Sequence, residues 1–314
     1  MGALGRWALL GALCIALVGC SRARIFGRFL GHNVETVLRP IRRLPSRIEE
    51  PARPDARLSA LWVGHATVLV QMDDKFILTD PVFTDTVGQI VKRWVEPGID
   101  VEHLPQIDAV IVSHMHFDHL SLGSLDLIED KVGRVYLPEG GAVYVPRSGA
   151  PTIELPAWRS HEVDGLRVTA VPVRHVGFRY VGDRGWMTKS FTGYVVEYRG
   201  LKVYFGGDTA YTRAFADTGA RFPEIDLAIL PIAPIHPRSF MCRTHTDPNE
   251  SLLAFRDLGA KHMLPMHFDT FVGPFDGFGE APRVLRELLP AHGFDEGQVA
   301  ILRHGEQRVF VPRE

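Results

Sequence analysis

Ser113-His114-Met115-His116-Phe117-Asp118-His119 sets four metal-ligating side chains within six residues. The stretch follows Ala109–Val112, an unbroken apolar run that reads as a strand buried on both faces. It precedes a helical pattern over Leu120–Glu129. In extended chain, residues two apart share a side, so His114 and His116 face together while Met115 points elsewhere. Asp118 and His119 sit where the chain turns into the helix and approach from another direction, so the four could serve two adjacent ions. The bland alternative is a polar turn with unconnected histidines. Three imidazoles and a carboxylate crowded at a strand end have no packing rationale, and they point to metal binding.

Outward from this stretch, short β-branched runs alternate with turn signals. Leu61–Val63, Thr67–Met72 and Phe76–Thr79 read as strands, with Asp73-Asp74 as a hairpin turn. Leu166–Val173, Tyr194–Tyr198 and Leu201–Phe205 follow, the last two joined tightly at Arg199-Gly200. Leu227–Leu230, Met263–Leu264 and Val299–Leu302 read as buried strands, and Gln307–Val311 as a final one. Helical patterns occupy Leu120–Glu129, Thr212–Arg221, Pro248–Leu258 and Ala281–Leu289. The third opens with Asp247 as N-cap, Pro248 at its first position and Glu250 closing a capping box. Strand clusters separated by helices imply sheets covered by helices, an α/β architecture.

The chain has 314 residues, 46% hydrophobic and 23% charged, with three cysteines. That composition excludes a disordered, collagen-like or disulfide-built chain. Three parts are expected: residues 1–20, 21–57 and 58–314. The first holds Arg6 and then an uncharged apolar run, Trp7–Gly19. This is shorter than the roughly 20 residues of a membrane-spanning helix and suits a signal-peptide core. Leu17-Val18-Gly19-Cys20 resembles the bacterial lipobox, which implies a lipidated Cys20 and an exported, membrane-anchored lipoprotein of the cell envelope, in the outer membrane or periplasm. An uncleaved anchor or an ordinary signal peptide are the alternatives.

Residues 21–57 hold nine arginines against Glu35, Glu49, Glu50 and Asp55. Such a basic arm could lie on anionic headgroups or run as a solvated linker broken by Pro40, Pro45, Pro51 and Pro54. With the arm at +5 and Arg6 counted, residues 58–314 carry −8 of the whole-chain −2. That charge repels a polyanion, so no nucleic-acid partner is expected. There is no Gly-x-Ser-x-Gly elbow, no Walker-type phosphate loop and no Cys-x-x-Cys pair.

His-x-His-x-Asp-His resembles the signature of the metallo-β-lactamase-fold hydrolases. The resemblance implies an αββα sandwich, two mixed β-sheets flanked by helices, with a one- or two-metal site at one sheet edge. It is closer to one branch, the N-acyl-phosphatidylethanolamine-hydrolysing phospholipase D group. Trp62-Val63-Gly64-His65-Ala66-Thr67-Val68, Leu78-Thr79-Asp80-Pro81, Phe205-Gly206-Gly207-Asp208-Thr209, His245-Thr246-Asp247-Pro248 and His304-Gly305-Glu306 carry it. Carried over by position, His114, His116 and His175 would hold one zinc. Asp118, His119 and His267 would hold a second, with Asp208 shared. Zinc suits the histidine-rich set, and such sites also accept iron or manganese. A hydroxide between two ions would then attack phosphorus.

His245 is the candidate for substrate contact or acid catalysis, or else a residue bonded locally at a helix start. Asp80 is expected to orient a ligand histidine through its other nitrogen. His65 is structural or touches the site edge. Arg174 and Arg238 could meet phosphate oxygens. Phe178, Tyr180, Trp186, Phe271, Phe275 and Phe278 could line an acyl-chain groove. Arg174, Thr244 and Asp269 depart from the branch pattern, and Asp269 adds negative charge near the phosphate.

The expected function is a zinc-dependent phosphodiesterase of phospholipase D type, acting on N-acylated or ordinary glycerophospholipids at a membrane. The alternatives are a lactonase or other ester or phosphoester hydrolase of the same fold, and a non-catalytic zinc-binding outer-membrane lipoprotein.

Overall fold

The computed structural model describes residues 27–28, 31–32, 34–88, 91–145, 149–183 and 189–314. The signal-type segment with Cys20, and Trp186 of the expected groove, lie outside them.

The strands run β1 (Ala56–Gly64), β2 (Thr67–Met72), β3 (Lys75–Thr79), β4 (Thr86–Val87), β5 (Val91–Lys92), β6 (Ala109–Ile111), β7 (Val135–Pro138), β8 (Thr152–Leu155), β9 (Ser160–Val163), β10 (Leu166–Val171), β11 (Gly193–Tyr198), β12 (Leu201–Phe205), β13 (Leu227–Pro231), β14 (His262–Met266) and β15 (Gln307–Pro312). Beyond helical residues 34–38 of the arm, the helices are α1 (Leu122–Ile128), α2 (Ala214–Arg221), α3 (Arg238–Met241), α4 (Pro248–Leu258) and α5 (Glu280–His292). One sheet has the order β15-β1-β2-β3-β6-β7-β8 and the other β14-β13-β12-β11-β10-β9, with β4 and β5 as a small ribbon.

Alternation along each strand decides what faces what. On β1, Leu58, Ala60 and Trp62 join the core shared with the second sheet. Leu61 and Val63 enter a separate cluster with Leu120 and Ile128 around α1. β6 divides the same way, Ala109 and Ile111 to one side and Val110 to the other, so this strand is buried on both faces. Phe215 of α2, Leu252 and Phe255 of α4 and Leu285 of α5 cover the second sheet. The layers are therefore helix, sheet, sheet, helix.

Pairing directions then fix where the strand ends meet. β1, β3 and β6 run one way in the first sheet. In the second, β10, β12, β13 and β14 run together, with β11 reversed between β10 and β12. The carboxyl ends of these strands collect at one edge, where backbone joins the sheets. Thr192 N–H donates to Ser113 O at 2.8 Å, and the Tyr194 hydroxyl to Val112 O at 2.9 Å.

Some expectations are corrected. Val299–Leu302 is not a strand; Val299 makes one isolated bridge to Met263, so the run is buried by covering the outer edge of β14. β7, β8 and β9 were not anticipated. The helix expected from Leu120 starts at Leu122, behind Ser121 as N-cap. At α4, Asp247 accepts from Glu250 N–H at 2.8 Å, but the Glu250 carboxylate turns to Arg238, also at 2.8 Å, so the capping box is only half made.

Residues of the basic arm pack on the body. Arg42 N–H bonds Trp94 O, Arg39 lies 4.0 Å over the Trp94 ring, and Arg43 and Arg47 pair with Glu96 and Asp100, each at 2.6 Å. Prolines prevent a long helix here but do not prevent docking, because the body supplies the acids and aromatic faces.

Candidate metal centre

Each candidate ligand follows the carboxyl end of a strand: His114, His116, Asp118 and His119 after β6, His175 after β10, Asp208 after β12 and His267 directly after β14. Both sheets thus contribute, and the structure brings all seven residues together. The donor atoms of His114, His116 and His175 lie mutually within 4.8 Å, and those of Asp118, His119 and His267 do the same, with His65 in the second group. His114 Nε2 approaches His116 Nδ1 to 2.8 Å. Asp208 stands between the groups. Its Oδ2 is 3.3 Å from His119 Nε2, 3.9 Å from His175 Nε2 and 4.0 Å from His114 Nε2, while Oδ1 is 3.1 Å from His267 Nε2.

The donors fit divalent cations. His119 Nε2, His267 Nε2 and Asp208 Oδ1 are buried and make no hydrogen bond, although an orphaned buried polar atom costs about 1–3 kcal/mol. Burial drives His114, His116 and His175 down, toward the neutral imidazole that binds metal. Burial alone would raise Asp208, but His267, His119 and His245 outweigh it and hold the carboxyl well below the usual range. Burial lowers His119 too, yet Asp208, Asp118 and Asp80 carry it well above an ordinary histidine.

Supporting groups fix the rings. Asp80 Oδ2 lies 2.6 Å from His119 Nδ1 and accepts from Ser113 Oγ at 2.6 Å; its Oδ1 accepts from Ser113 N–H at 2.6 Å. His175 donates from Nδ1 to Thr244 O at 2.9 Å, leaving Nε2 for the centre. His65 Nε2 meets Asp118 Oδ2 at 3.1 Å, and burial beside His267 lowers this imidazole to about 3. His65 is thus in contact with a candidate ligand. Its backbone is fixed as well, Thr270 Oγ1 accepting its N–H at 2.6 Å and His267 N–H donating to its carbonyl at 3.0 Å.

His65 (φ 54°), Asp80 (φ 33°) and His267 (φ 66°) all lie at positive φ. Such backbone conformations cost of order 1–3 kcal/mol each and collect at functional sites. Asp80→Ala should weaken cation affinity about 10–100-fold, since His119 loses its orienting partner. Metal competition titration checks this, and an unchanged affinity would remove the orienting role.

His245 Nε2 lies 3.1 Å from Asp208 Oδ2, and Thr244 Oγ1 contacts its Nδ1 at 2.9 Å. With 17% of its side chain exposed, it faces both the cluster and solvent. Arg238 is not free for phosphate: it pairs with Glu250 and donates to His245 O, and so supports the loop carrying that histidine. Arg174 is exposed.

The aromatic set divides. Phe178 meets the His116 ring at 5.4 Å and Phe271 the His65 ring at 5.1 Å. Phe271 also lines a cavity of about 110 Å³ that opens on Asp118 and His267. Tyr180 packs edge-on to Phe117. Phe275 and Phe278 do not line that cavity. Arg28 and Arg42 of the arm cover their rings, and Phe278 lines a separate cavity of about 810 Å³ beside Trp62 and His304. No sequence signal marked Ser113 or the Thr244 carbonyl as supports.

A family model described as a β-lactamase superfamily domain matches residues 75–268. An uncharacterised protein of Mycobacterium tuberculosis is 32% identical over 269 residues, covering 81% of this chain and 70% of its own. The N-acyl-phosphatidylethanolamine-hydrolyzing phospholipase D 1 of Caenorhabditis elegans is 29% identical over 255 residues, 76% of this chain and 71% of its own. Among solved structures, isothiocyanate hydrolase from Delia radicum gut bacteria superposes with a TM-score of 0.64 at 20% identity, over 81% of this chain and 99% of that one.

Proposed function

Because the chain belongs to the β-lactamase superfamily and is a metal-dependent hydrolase of that fold, we propose that it is a phosphodiesterase of phospholipase D type acting on N-acyl-phosphatidylethanolamine or related glycerophospholipids. The observation that carries this reading is the donor set itself, seven side chains from two sheets with Asp208 placed between two groups of imidazoles. The likeness to the nematode phospholipase supports the choice of bond.

In the proposal, His114, His116 and His175 would hold one cation and Asp118, His119 and His267 another, with the Asp208 carboxylate available to either. When bound, two divalent cations, zinc by the histidine-rich donors, supply Lewis acidity that activates water near neutral pH and offsets phosphoryl charge. The protein's own part is orientation and proton handling. Asp80 and the Thr244 carbonyl fix which nitrogen each ring presents. An alkoxide leaving a phosphodiester needs a proton, and in this reading His245, 3.1 Å from Asp208 Oδ2 and partly exposed, supplies it. Phe271 gives the cavity beside Asp118 and His267 an apolar wall suited to an acyl chain. A lipid anchor at Cys20 would keep the site beside such substrates.

The test is a hydrolysis screen of N-acylated and ordinary phospholipids, lactones and p-nitrophenyl phosphodiesters, before and after chelation. The expected products are phosphatidic acid and the head-group alcohol, an N-acylethanolamine from the N-acylated substrate, with turnover lost on metal removal and regained on adding zinc. Release of diacylglycerol would put the scissile bond on the other side of phosphorus. Turnover of lactones alone would assign a different reaction to the same centre.

A further inference from the structure

The segment from Ser113 to Ser121 carries four of the seven donors but is neither strand nor helix. Asp80 secures its start and His119. Its middle is held from outside by Arg179, four residues beyond His175. Arg179 Nη1 donates to Met115 O at 3.0 Å and to Leu120 O at 2.7 Å, so one nitrogen spans the stretch containing His116, Asp118 and His119. The guanidinium carbon lies 4.2 Å from the centre of the Phe117 ring, between those same donors.

Arg179 is 8% exposed, and among the described residues no carboxylate lies within ion-pair distance of its guanidinium. Asp183, the acid beside it, accepts instead from the backbone N–H groups of Arg179 and Tyr180 and from the Tyr144 hydroxyl. Desolvating a guanidinium without a counter-ion is costly. Here two carbonyl dipoles and an aromatic face take the place of one. A planar fork can bond carbonyls in its plane while stacking a ring on its face, and an ammonium cannot.

We propose that Arg179 is a positioning residue for the metal centre, clamping the 115–120 segment so that His116, Asp118 and His119 present their donors together. The clamp also couples that segment to the one following His175, the ligand supplied by the other sheet. This inference rests on reading the seven donors as a metal centre.

The experiment measures zinc affinity by competition with a chromophoric chelator for the full chain, Arg179→Lys, Arg179→Met and Tyr144→Phe. Visible spectra of the cobalt-loaded proteins and melting of the metal-stripped proteins accompany it. Tyr144→Phe loosens the 179–183 turn without touching the clamp, so it measures a merely structural contribution. Both Arg179 variants are expected to bind zinc about 10–100-fold more weakly and to show altered cobalt spectra. Tyr144→Phe should keep the affinity and spectrum of the unmodified chain. If Arg179→Met does not fold, Arg179→Lys, which keeps the charge, decides alone. Unchanged affinity and spectra in the Arg179 variants, or equal losses in Tyr144→Phe, overturn the clamp while leaving the metal centre standing. An unmodified chain that binds no zinc overturns both.

Discussion

Asp208→Asn is expected to lose hydrolysis by at least about 10²-fold, more than substitutions of groups that merely support a ligand usually cost, while the protein remains folded. Among the described residues, Asp208 is the one carboxylate that lies within 4 Å of all five of His114, His119, His175, His245 and His267. An amide of the same shape keeps the packing, removes the negative charge and puts N–H groups where an oxygen faced cations. Metal analysis after gel filtration should show fewer bound ions, and turnover should fall in step. An Asp208→Asn protein holding two ions and turning over at the unmodified rate would sink the assignment of this residue.

The second large effect is structural. Gly207→Ala should lower the melting temperature by roughly 5–15 °C, from about 2–6 kcal/mol of combined left-handed backbone strain and overpacking. Gly207 has φ +55°, and a Cβ there would lie 2.2 Å from Ser113 Cβ. Ser113 cannot retreat, because Asp80 holds both its N–H and its hydroxyl at 2.6 Å. The added methyl therefore pushes on the residue before His114 from the residue before Asp208. Gly273→Ala is the control, since a Cβ there meets nothing within 4 Å and its backbone is not left-handed. Thermal unfolding of both checks this, and a Gly207→Ala midpoint within 2 °C of the unmodified protein would show that the backbone relaxes more freely than these contacts allow.

Much of this architecture is legible in the chain. The donor spacing at 114–119 and the order of later strand ends locate the candidate ligands, because a strand's carboxyl end is marked by hydrophobic run and turn residue alone. Short β-branched or apolar runs bounded by turn signals identify β1 to β3, β6 and β10 to β15. What was not legible depends on partners distant in sequence. Val299–Leu302 has the composition of a strand, and only the third dimension shows that it caps an edge. β9 is a half-exposed strand whose Ser160, His161 and Glu162 give no apolar pattern. Phe275 and Phe278 look like groove aromatics until arginines of the arm are seen stacked on them. His65, Asp80 and His267 owe their roles to a backbone turn that no local propensity announces. Nothing in the sequence marks Arg179, because its partners are the carbonyls of Met115 and Leu120.

The edge where Ser113 meets Thr192 has a thermodynamic consequence. Four of the seven ligating side chains hang from one β-layer and three from the other, so an ion seated there is a rivet through the sandwich, and filling the site and keeping the layers shut are one equilibrium. By mass action, a metal present at a thousand times its dissociation constant adds about 4 kcal/mol to resistance against unfolding. Scarcity of the ion therefore threatens this protein twice, through idle chemistry and through loosened architecture.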